Sequence, residues 1–239
     1  MAKILDVQID ELDFKQVMRK IADFCLGKRL RQIVTVNPEF LVATQHDEEF
    51  KKILNAADLS VPDGFGLKIG AWLSGQKLGE RITGVDLTWE IAKLASERGW
   101  SVFLLGGKSG VAYKTAQRLK LVHPKLKIAG TYAGSPEERG IVVKINSTKP
   151  NILLVAFGAP KQDKFIYNNR TRLNTQVAMG VGGTFDFISA TTPRAPKWMR
   201  ALGLEWLYRL IHQPSRIGRI FTAVVKFPLM VIWYKIRNK

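Results

Sequence analysis

Apolar positions along the 239-residue chain follow two rhythms. Short runs rich in aliphatic and β-branched residues recur at 31–36 (RQIVTV), 58–62 (DLSVP), 100–107 (WSVFLLGG), 126–134 (LKIAGTYAG), 150–158 (PNILLVAFG) and 175–183 (TQVAMGVGG). Between them the spacing is helical. Residues 38–57 predict one helix with Phe40, Leu41, Ala43, Phe50, Ile53 and Leu54 on its apolar face. Further helices are predicted over 66–75, 85–99 (ending at Gly99), 109–124 (capped by Ser109), 135–149 (Pro136 in its first turn) and 159–170. Strands alternating with helices at this spacing predict βαβ units. The expected fold is α/β: a Rossmann-like, mainly parallel sheet with helices on both faces. Nearly every strand position is apolar, as when both faces of a sheet are covered.

Such sheets bind ligands beyond the carboxyl ends of their strands. Those ends carry Asn37, Asp63, Gly106–Gly107, Tyr132, Gly158 and Gly180–Gly183. After "SATTPRAP" (189–196) the pattern changes, and its two prolines set a boundary between a core of residues 1–193 and an appendage of residues 194–239. Within the appendage, residues 220–234 are largely apolar but interrupted by Lys226 and Pro228. A spanning helix needs about 20 mostly apolar residues, so a membrane-surface helix is expected here rather than a transmembrane span.

Charge sharpens that division. The chain has 37 Lys plus Arg against 20 Asp plus Glu, a net +17, which calls for an anionic partner. Residues 194–239 carry ten basic residues and one acid, Glu205, and three of the six tryptophans, Trp198, Trp206 and Trp233. Basic residues interleaved with Ile, Leu, Phe, Met and Trp suit a bilayer interface, with Trp206, Trp233 and Tyr234 as anchors. The competing class is a basic nucleic-acid-binding protein on a nucleotide-binding α/β fold, for which charge alone would serve. Cys25 is the only cysteine, so no intrachain disulfide can form, and its helical context "KQVMRKIADFCL" places it in the core. The start, "MAKILDVQIDELDF", has acids where a secretion signal needs an apolar run, so none is expected. "ELD" (11–13) reads as a surface segment.

Candidate chemistry gathers on the rim. "LLGGKSG" and "GVGGTFD" follow strands, and glycines there let backbone N–H groups approach a phosphate beside a helix N-terminus. A tight βα turn explains each equally well, but two on one rim favour an anionic nucleotide. Asp186 fits either ribose hydroxyls or a helix cap. Asn37 fits an N-cap ahead of Pro38, Asp86 fits a cap, Arg81 has no evident structural duty, and Gln162 falls in the first turn of its helix. Asp63, between Pro62 and Gly64, fits both a cap and a carboxylate held out for chemistry. His46, His123 and His212 are scattered without ligand spacing and no D-x-D follows a rim strand, so no metal is expected.

"TVNPEFL", "VPDGFGL", "RITGVDL", "LLGG", "GAPKQD" and "GVGGTFDF", in that order, followed by "APKWMRALGLEWLYRLIHQPSR", resemble the bacterial WecG/TagA/CpsF glycosyltransferases. The family has glutamate after the glutamine of "GAPKQD", where this chain has Asp163. The resemblance implies an inverting, metal-independent transfer of an N-acetylhexosamine, N-acetylmannosamine in the TagA-like branch, from a UDP-sugar. The implied acceptor is an undecaprenyl-diphosphate-linked sugar at the cytoplasmic face of the bacterial membrane. It implies Asp63 as the base, a pocket lined by Thr35, Asn37, Arg81 and Gln162, and Arg209, Arg216 and Arg219 as the lipid-diphosphate ligands. An anionic membrane surface is the implied further partner, nucleic acid is not one, and an oligomer is compatible with the sequence.

Overall fold

Six parallel strands form the centre of the protein, in the order β4-β3-β8-β7-β5-β6. The computed structural model describes residues 1–237. An antiparallel hairpin comes first, β1 (Ala2–Ile4) and β2 (Val7–Ile9), turned by Leu5 and Asp6 at φ 48° and 64°. Then follow α1 (Phe14–Cys25), β3 (Arg31–Val36), α2 (Pro38–Ala43), α3 (Glu48–Asn55), β4 (Leu59–Pro62), α4 (Phe65–Ser74) and α5 (Gly84–Arg98). The second half runs β5 (Ser101–Gly106), α6 (Val111–Val122), β6 (Lys127–Tyr132), α7 (Ile141–Ser147), β7 (Ile152–Ala156), α8 (Lys161–Asn168), β8 (Val177–Gly180) and α9 (Thr184–Ile188). The last segment holds α10 (Lys197–Ala201), α11 (Glu205–His212), α12 (Ile217–Phe221) and α13 (Phe227–Arg237).

Side chains alternate cleanly between the two faces of the sheet. Ile33, Leu104, Leu154 and Met179 pack with α1, α5, α6 and α9 on one face. On the other, Val34 and Val36 pack with α2, α3 and α4, and Leu105, Leu153 and Ala178 pack with α7 and α8. The chain leaving β3 therefore crosses to one face and the chain leaving the adjacent β8 to the other. That divergence is the topological switch point where such sheets open a crevice.

All six sequence-predicted strands form, but several helices differ in extent. Residues 38–57 make two helices, because the Asp47 side chain accepts from the N–H of Phe50 and caps a new start after Thr44 closes the first. The helix expected from Ser109 begins at Val111, after Gly110 at φ 76°. The one expected from residue 135 begins only at Ile141, after Gly140 at φ 84°, so Pro136 lies in the preceding turn. Thr83, not Asp86, caps α5. Asp13 in "ELD" builds a capping box with Gln16, and Cys25 is buried as expected.

The appendage is not a loose tail. Arg194 grips the Asp86 carboxylate with two hydrogen bonds, 2.7 and 2.9 Å, and Arg200 lies 3.9 Å from it. Lys226 and Pro228 do not interrupt the final helix as the sequence predicted. A 3₁₀ turn (Pro214–Arg216) and a π-helical turn (Thr222–Lys226) merge with α12 and α13 into one helix over Pro214–Arg237, mean hydropathy 1.4, long and apolar enough to cross a membrane. Proline lacks an N–H and crowds the carbonyl four residues back. The wider π turn, in which the N–H of Phe227 reaches Thr222, absorbs that conflict without a break.

This helix also has a seat on the core. Phe227 and Val231 are fully buried with Leu67 and Ala71 of α4. A Cβ on Gly70 would stand 2.5 Å from the Phe227 ring, so glycine is what admits the ring. Further along, the Tyr234 hydroxyl donates to Asp6 at 2.7 Å and Lys235 to the carbonyl of Leu73 at 2.8 Å. Lys239, the last of the appendage's basic residues, lies outside the described residues. Phe227→Ala should lower stability by roughly 3–5 kcal/mol in chemical denaturation. A loss below about 1 kcal/mol would mean that the helix is not seated on α4.

Candidate active site

The cleft opens at the switch point, above the carboxyl ends of β3, β4, β7 and β8. Two adjoining compartments share Asn37, Glu39, Asp63, Glu205, Arg209, Arg216 and Arg219. One is polar, reaching Thr35, Gln162, Gly182 and Thr184. The other is apolar, bounded by Phe65 and Ile69 of α4 and by Ile220, Val224 and Pro228 of the final helix.

Asp63 lies where the two meet. Its own N–H donates to Val36 at 2.7 Å, fixing the residue at the end of β4. Gly64, at φ 93°, then turns the chain into α4, and no side chain caps that helix. The Asp63 carboxylate points instead across the cleft to α5, where Oδ2 accepts from the N–H of Gly84 at 3.3 Å. The capping role that the sequence allowed thus falls on a different helix from the one that follows Asp63. A Cβ on Gly84 would lie 3.3 Å from Thr184 Oγ1 and 3.9 Å from both Thr35 Oγ1 and Asp63 Oδ2. Glycine keeps that polar corner open.

Burial pushes the Asp63 pKa up to about 6, against the lowering effect of the Gly84 N–H, Arg209 and Arg81, while Glu205 adds to the rise. A carboxylate with that balance is ionised at neutral pH and still basic enough to take a proton.

Asn37 caps α2, its Oδ1 accepting from the N–H of Phe40 at 3.0 Å, and it also lines the cleft. Gln162 is buried and acts as a clip. Its Oε1 accepts from the N–H of Gly158 at 3.2 Å and of Gly182 at 2.9 Å, tying together the loops after β7 and β8. Gly180 leaves room for it, since a Cβ there would stand 2.5 Å from Gln162 Nε2. Arg81 lines the apolar compartment and donates to the carbonyl of Arg200 at 3.1 Å.

The three arginines converge from the appendage. Arg209 pairs with Glu205 at 2.8 Å and packs over the Phe187 ring at 4.6 Å. Arg219 pairs with Glu39 of α2 at 2.6 Å. Arg216 makes no ion pair among the described residues, and its Nη2 approaches Gly183. Burial and its cationic neighbours Arg219 and Arg209 hold its pKa below the ordinary arginine value, against the smaller raising effect of Glu39 and Asp186.

The other rim residues sit farther along. Gly106 and Gly107, at φ 92° and 80°, make the tight exit from β5, and the N–H of Gly107 donates to Ala156 at 3.0 Å. Tyr132 ends the edge strand β6, donates to Glu138 and carries the Lys144 ammonium 3.4 Å from its ring centre. Asp186 stands behind Gly183, close enough to act on Arg216. Of the residues predicted to hold the nucleotide, Gly158, Gly182 and Gly183 line the polar compartment; Gly106, Gly107, Tyr132, Gly180 and Asp186 do not.

Sequence reasoning missed Glu39 and Glu205. Glu205 carried a signal, as the sole acid of the appendage; Glu39, behind a helix-initiating proline, carried none. Asp163 also acquires a description. It is fully buried beneath Gly180; neither carboxylate oxygen has a well-formed hydrogen bond among the described residues, although the Gln162 side chain and its own backbone N–H lie close enough to offset its burial in part. Among the described residues no group of three or more His, Cys, Asp or Glu side chains gathers as metal ligands would.

The family model described as "Glycosyl transferase WecG/TagA/CpsF family" matches residues 2–239. The chain is similar to the N-acetylglucosaminyldiphosphoundecaprenol N-acetyl-beta-D-mannosaminyltransferase of Bacillus subtilis (strain 168), 36% identical over 201 residues, covering 84% of this chain and 78% of the relative. It is also similar to the protein of the same name from Bacillus spizizenii (strain ATCC 23059 / NRRL B-14472 / W23), 35% identical over 81% of this chain and 78% of the relative.

Burial raises the Asp163 pKa from 3.8 to about 7, so the fold favours the protonated carboxyl. The stability this group allows is complete below pH 3.8 and lost as pH rises through about 7. Asp163→Asn should therefore melt higher than the parent at pH 8, with the gain shrinking toward pH 4. Equal melting temperatures at pH 8 would show that the buried carboxyl is compensated by a partner.

Proposed function

The chain belongs to the WecG/TagA/CpsF glycosyltransferase family and is a hexosyltransferase, and we propose that it transfers N-acetylmannosamine from a UDP-sugar to an undecaprenyl-diphosphate-linked N-acetylglucosamine. The transferred sugar and the acceptor follow the name borne by both Bacillus relatives, and the UDP carrier follows the family resemblance. The observation that carries the reading is the meeting of Asp63 with Arg209, Arg216 and Arg219 in one cleft. In a single displacement, Asp63 takes the proton of the acceptor hydroxyl while that oxygen bonds to the anomeric carbon. The carbon–oxygen bond to UDP breaks on the opposite side, inverting the configuration, and UDP leaves with the bonding electrons. The loops after β7 and β8, clipped together by Gln162, line the donor diphosphate's compartment, and the arginines take the acceptor's lipid diphosphate. Because the arginines line both compartments, their positive field also reaches the departing UDP, and the proposed transfer needs no metal.

The acceptor's lipid puts the reaction at a membrane, and the surface beside the apolar compartment suits one. Ile69 and Trp72 of α4 are exposed, Trp72 by 78%, alongside Trp198, Leu229, Trp233 and Ile236. Lys235, at the Leu73 carbonyl, and Arg237, over the Trp233 ring, flank this area. The final helix is long enough to span, yet a spanning helix would have to surrender the buried Phe227 and Val231. We therefore assign it to lie on the cytoplasmic surface of the membrane, the core held beneath it. No observation favours nucleic acid: three guanidiniums of the appendage turn inward to the cleft.

UDP release assayed over a panel of UDP-sugars, with a lipid-diphosphate-GlcNAc acceptor, should be fastest with UDP-N-acetylmannosamine and unchanged by EDTA. Asp63→Asn, whose amide oxygen can still accept from Gly84, should lose about 10²–10⁴-fold in rate without unfolding. Because the base must be ionised, parental kcat/KM should rise with pH through about 6. Near-parental turnover by folded Asp63→Asn would remove Asp63 from the chemistry.

Sedimentation with anionic liposomes tests the surface assignment separately. The parent should pellet, and a Trp72→Glu/Trp233→Glu variant should remain largely in the supernatant. Equal pelleting would place the membrane contact elsewhere.

A further inference from the structure

Two carboxylates stand where a cluster built only to bind anions should have none. Glu39 holds Arg219 at 2.6 Å and Glu205 holds Arg209 at 2.8 Å, and both acids line both compartments. They come from different parts of the fold. Glu39 lies in the first turn of α2, within the core, and reaches across 180 positions of sequence. Glu205 sits one turn before Arg209 on α11. Neither pair is a fully solvated surface contact, with the glutamate side chains 31% and 16% exposed. Arg216, between them, is left without an ion pair among the described residues.

We propose that Glu39 and Glu205 occupy, in the empty cleft, the guanidinium edges that an acceptor diphosphate takes over, and so make the arginine cluster selective for a diphosphate over a monophosphate. The inference rests on the reading of this cluster as the acceptor-diphosphate site. An arriving anion meets Arg216 first, because only that guanidinium is unengaged. To gain Arg209 or Arg219 it must displace a carboxylate already making a charge-assisted hydrogen bond. A single phosphate that exchanges one such pair gains little, since it replaces one anion by another and leaves the glutamate half-buried without its cation. Two linked phosphates present two charged centres at once, and the second arrives tethered to the first. The diphosphate therefore compensates both displacements, whereas a monophosphate is held only by Arg216.

The need for this discrimination follows from where the enzyme works. A membrane surface is dense in single-phosphate headgroups, and three unengaged arginines facing it would fill with them. Rejecting the wrong anion requires a repulsive element as well as an attractive one. Glu205 is the sole acid among residues 194–239, in a segment that otherwise excludes negative charge.

The experiment is calorimetric titration of the full chain with inorganic orthophosphate and with pyrophosphate. The parent should prefer pyrophosphate by about tenfold or more. In Glu39→Gln/Glu205→Gln, orthophosphate should bind about tenfold tighter and the preference should collapse toward unity. Each single glutamine variant should narrow it in part, which keeps the test valid if the double variant does not fold. Glu205→Asp, which retains the charge, should keep most of it. A folded double variant with the parental preference overturns this inference and leaves the arginine site intact. A parent with no preference overturns both. Orthophosphate binding that survives Arg216→Gln lies outside the cluster and overturns the inference too.

Discussion

One helix, α4, couples the two halves of the chemistry. Asp63 and Gly64 lead into its first turn, and two turns later Gly70 admits the ring of Phe227. The helix that begins beside the carboxylate is thus the helix on which the arginine-bearing segment is seated. Apolar burial of Phe227 and Val231 is non-directional and cannot by itself orient guanidiniums. Orientation comes from the polar ties: Arg194 to Asp86, Arg81 to the Arg200 carbonyl, and Arg219 to Glu39. Packing holds the appendage over the rim, and these ties fix which side chains face down. If the Phe227 seat is lost, the arginines lose their registration with Asp63 although no catalytic atom has been changed.

The sheet was legible because its strands are buried on both faces and read as nearly unbroken apolar runs. Helix boundaries were less so. Gly110 and Gly140 start their helices from left-handed backbone, a use of glycine that spacing alone cannot distinguish from a glycine inside a helix. The break at Asp47 depends on a single side-chain hydrogen bond. Within the cleft, Asp63 was legible as a carboxylate on a proline–glycine turn at the rim, but the partner of its carboxylate was not. Gly84 lies 21 positions away and meets Asp63 only through the pairing of β3 with β4 and the return of α5. Glu39 was invisible for a similar reason, and Glu205, visible as the appendage's sole acid, had no assignable role: an acid's meaning depends on the cation beside it.

Gln162, Asp163 and Gly180 show how a functional loop pair is supported from below. Two backbone N–H groups after different strands need acceptors, and one buried amide oxygen serves both. Putting Gln162 there requires a strand residue without a side chain, which is Gly180. It also leaves Asp163 enclosed beneath the same glycine, where its ionised form is disfavoured. Buried polar groups normally find partners. One so weakly partnered, directly under the clip, indicates that local stability has been conceded where the loops must be held in a particular arrangement.

The electrostatics of Asp63 draw these parts together. Its proton affinity is set by burial, which raises it, against Arg209, Arg81 and the Gly84 N–H, which lower it. Of these, the Arg209 contribution is the one a bound anion can alter. A phosphate on Arg209 cancels part of the positive field at Asp63, so proton affinity rises as the acceptor binds. The same binding displaces Glu205 from Arg209, and a carboxylate freed near Asp63 acts in the same direction. Displacing water from the apolar compartment strengthens both effects, because charges interact more strongly at lower dielectric. On the proposed mechanism, the carboxylate would thus gain proton affinity once the acceptor is in place. The polar ties that orient the appendage thus also link occupancy of the diphosphate site to the readiness of the base.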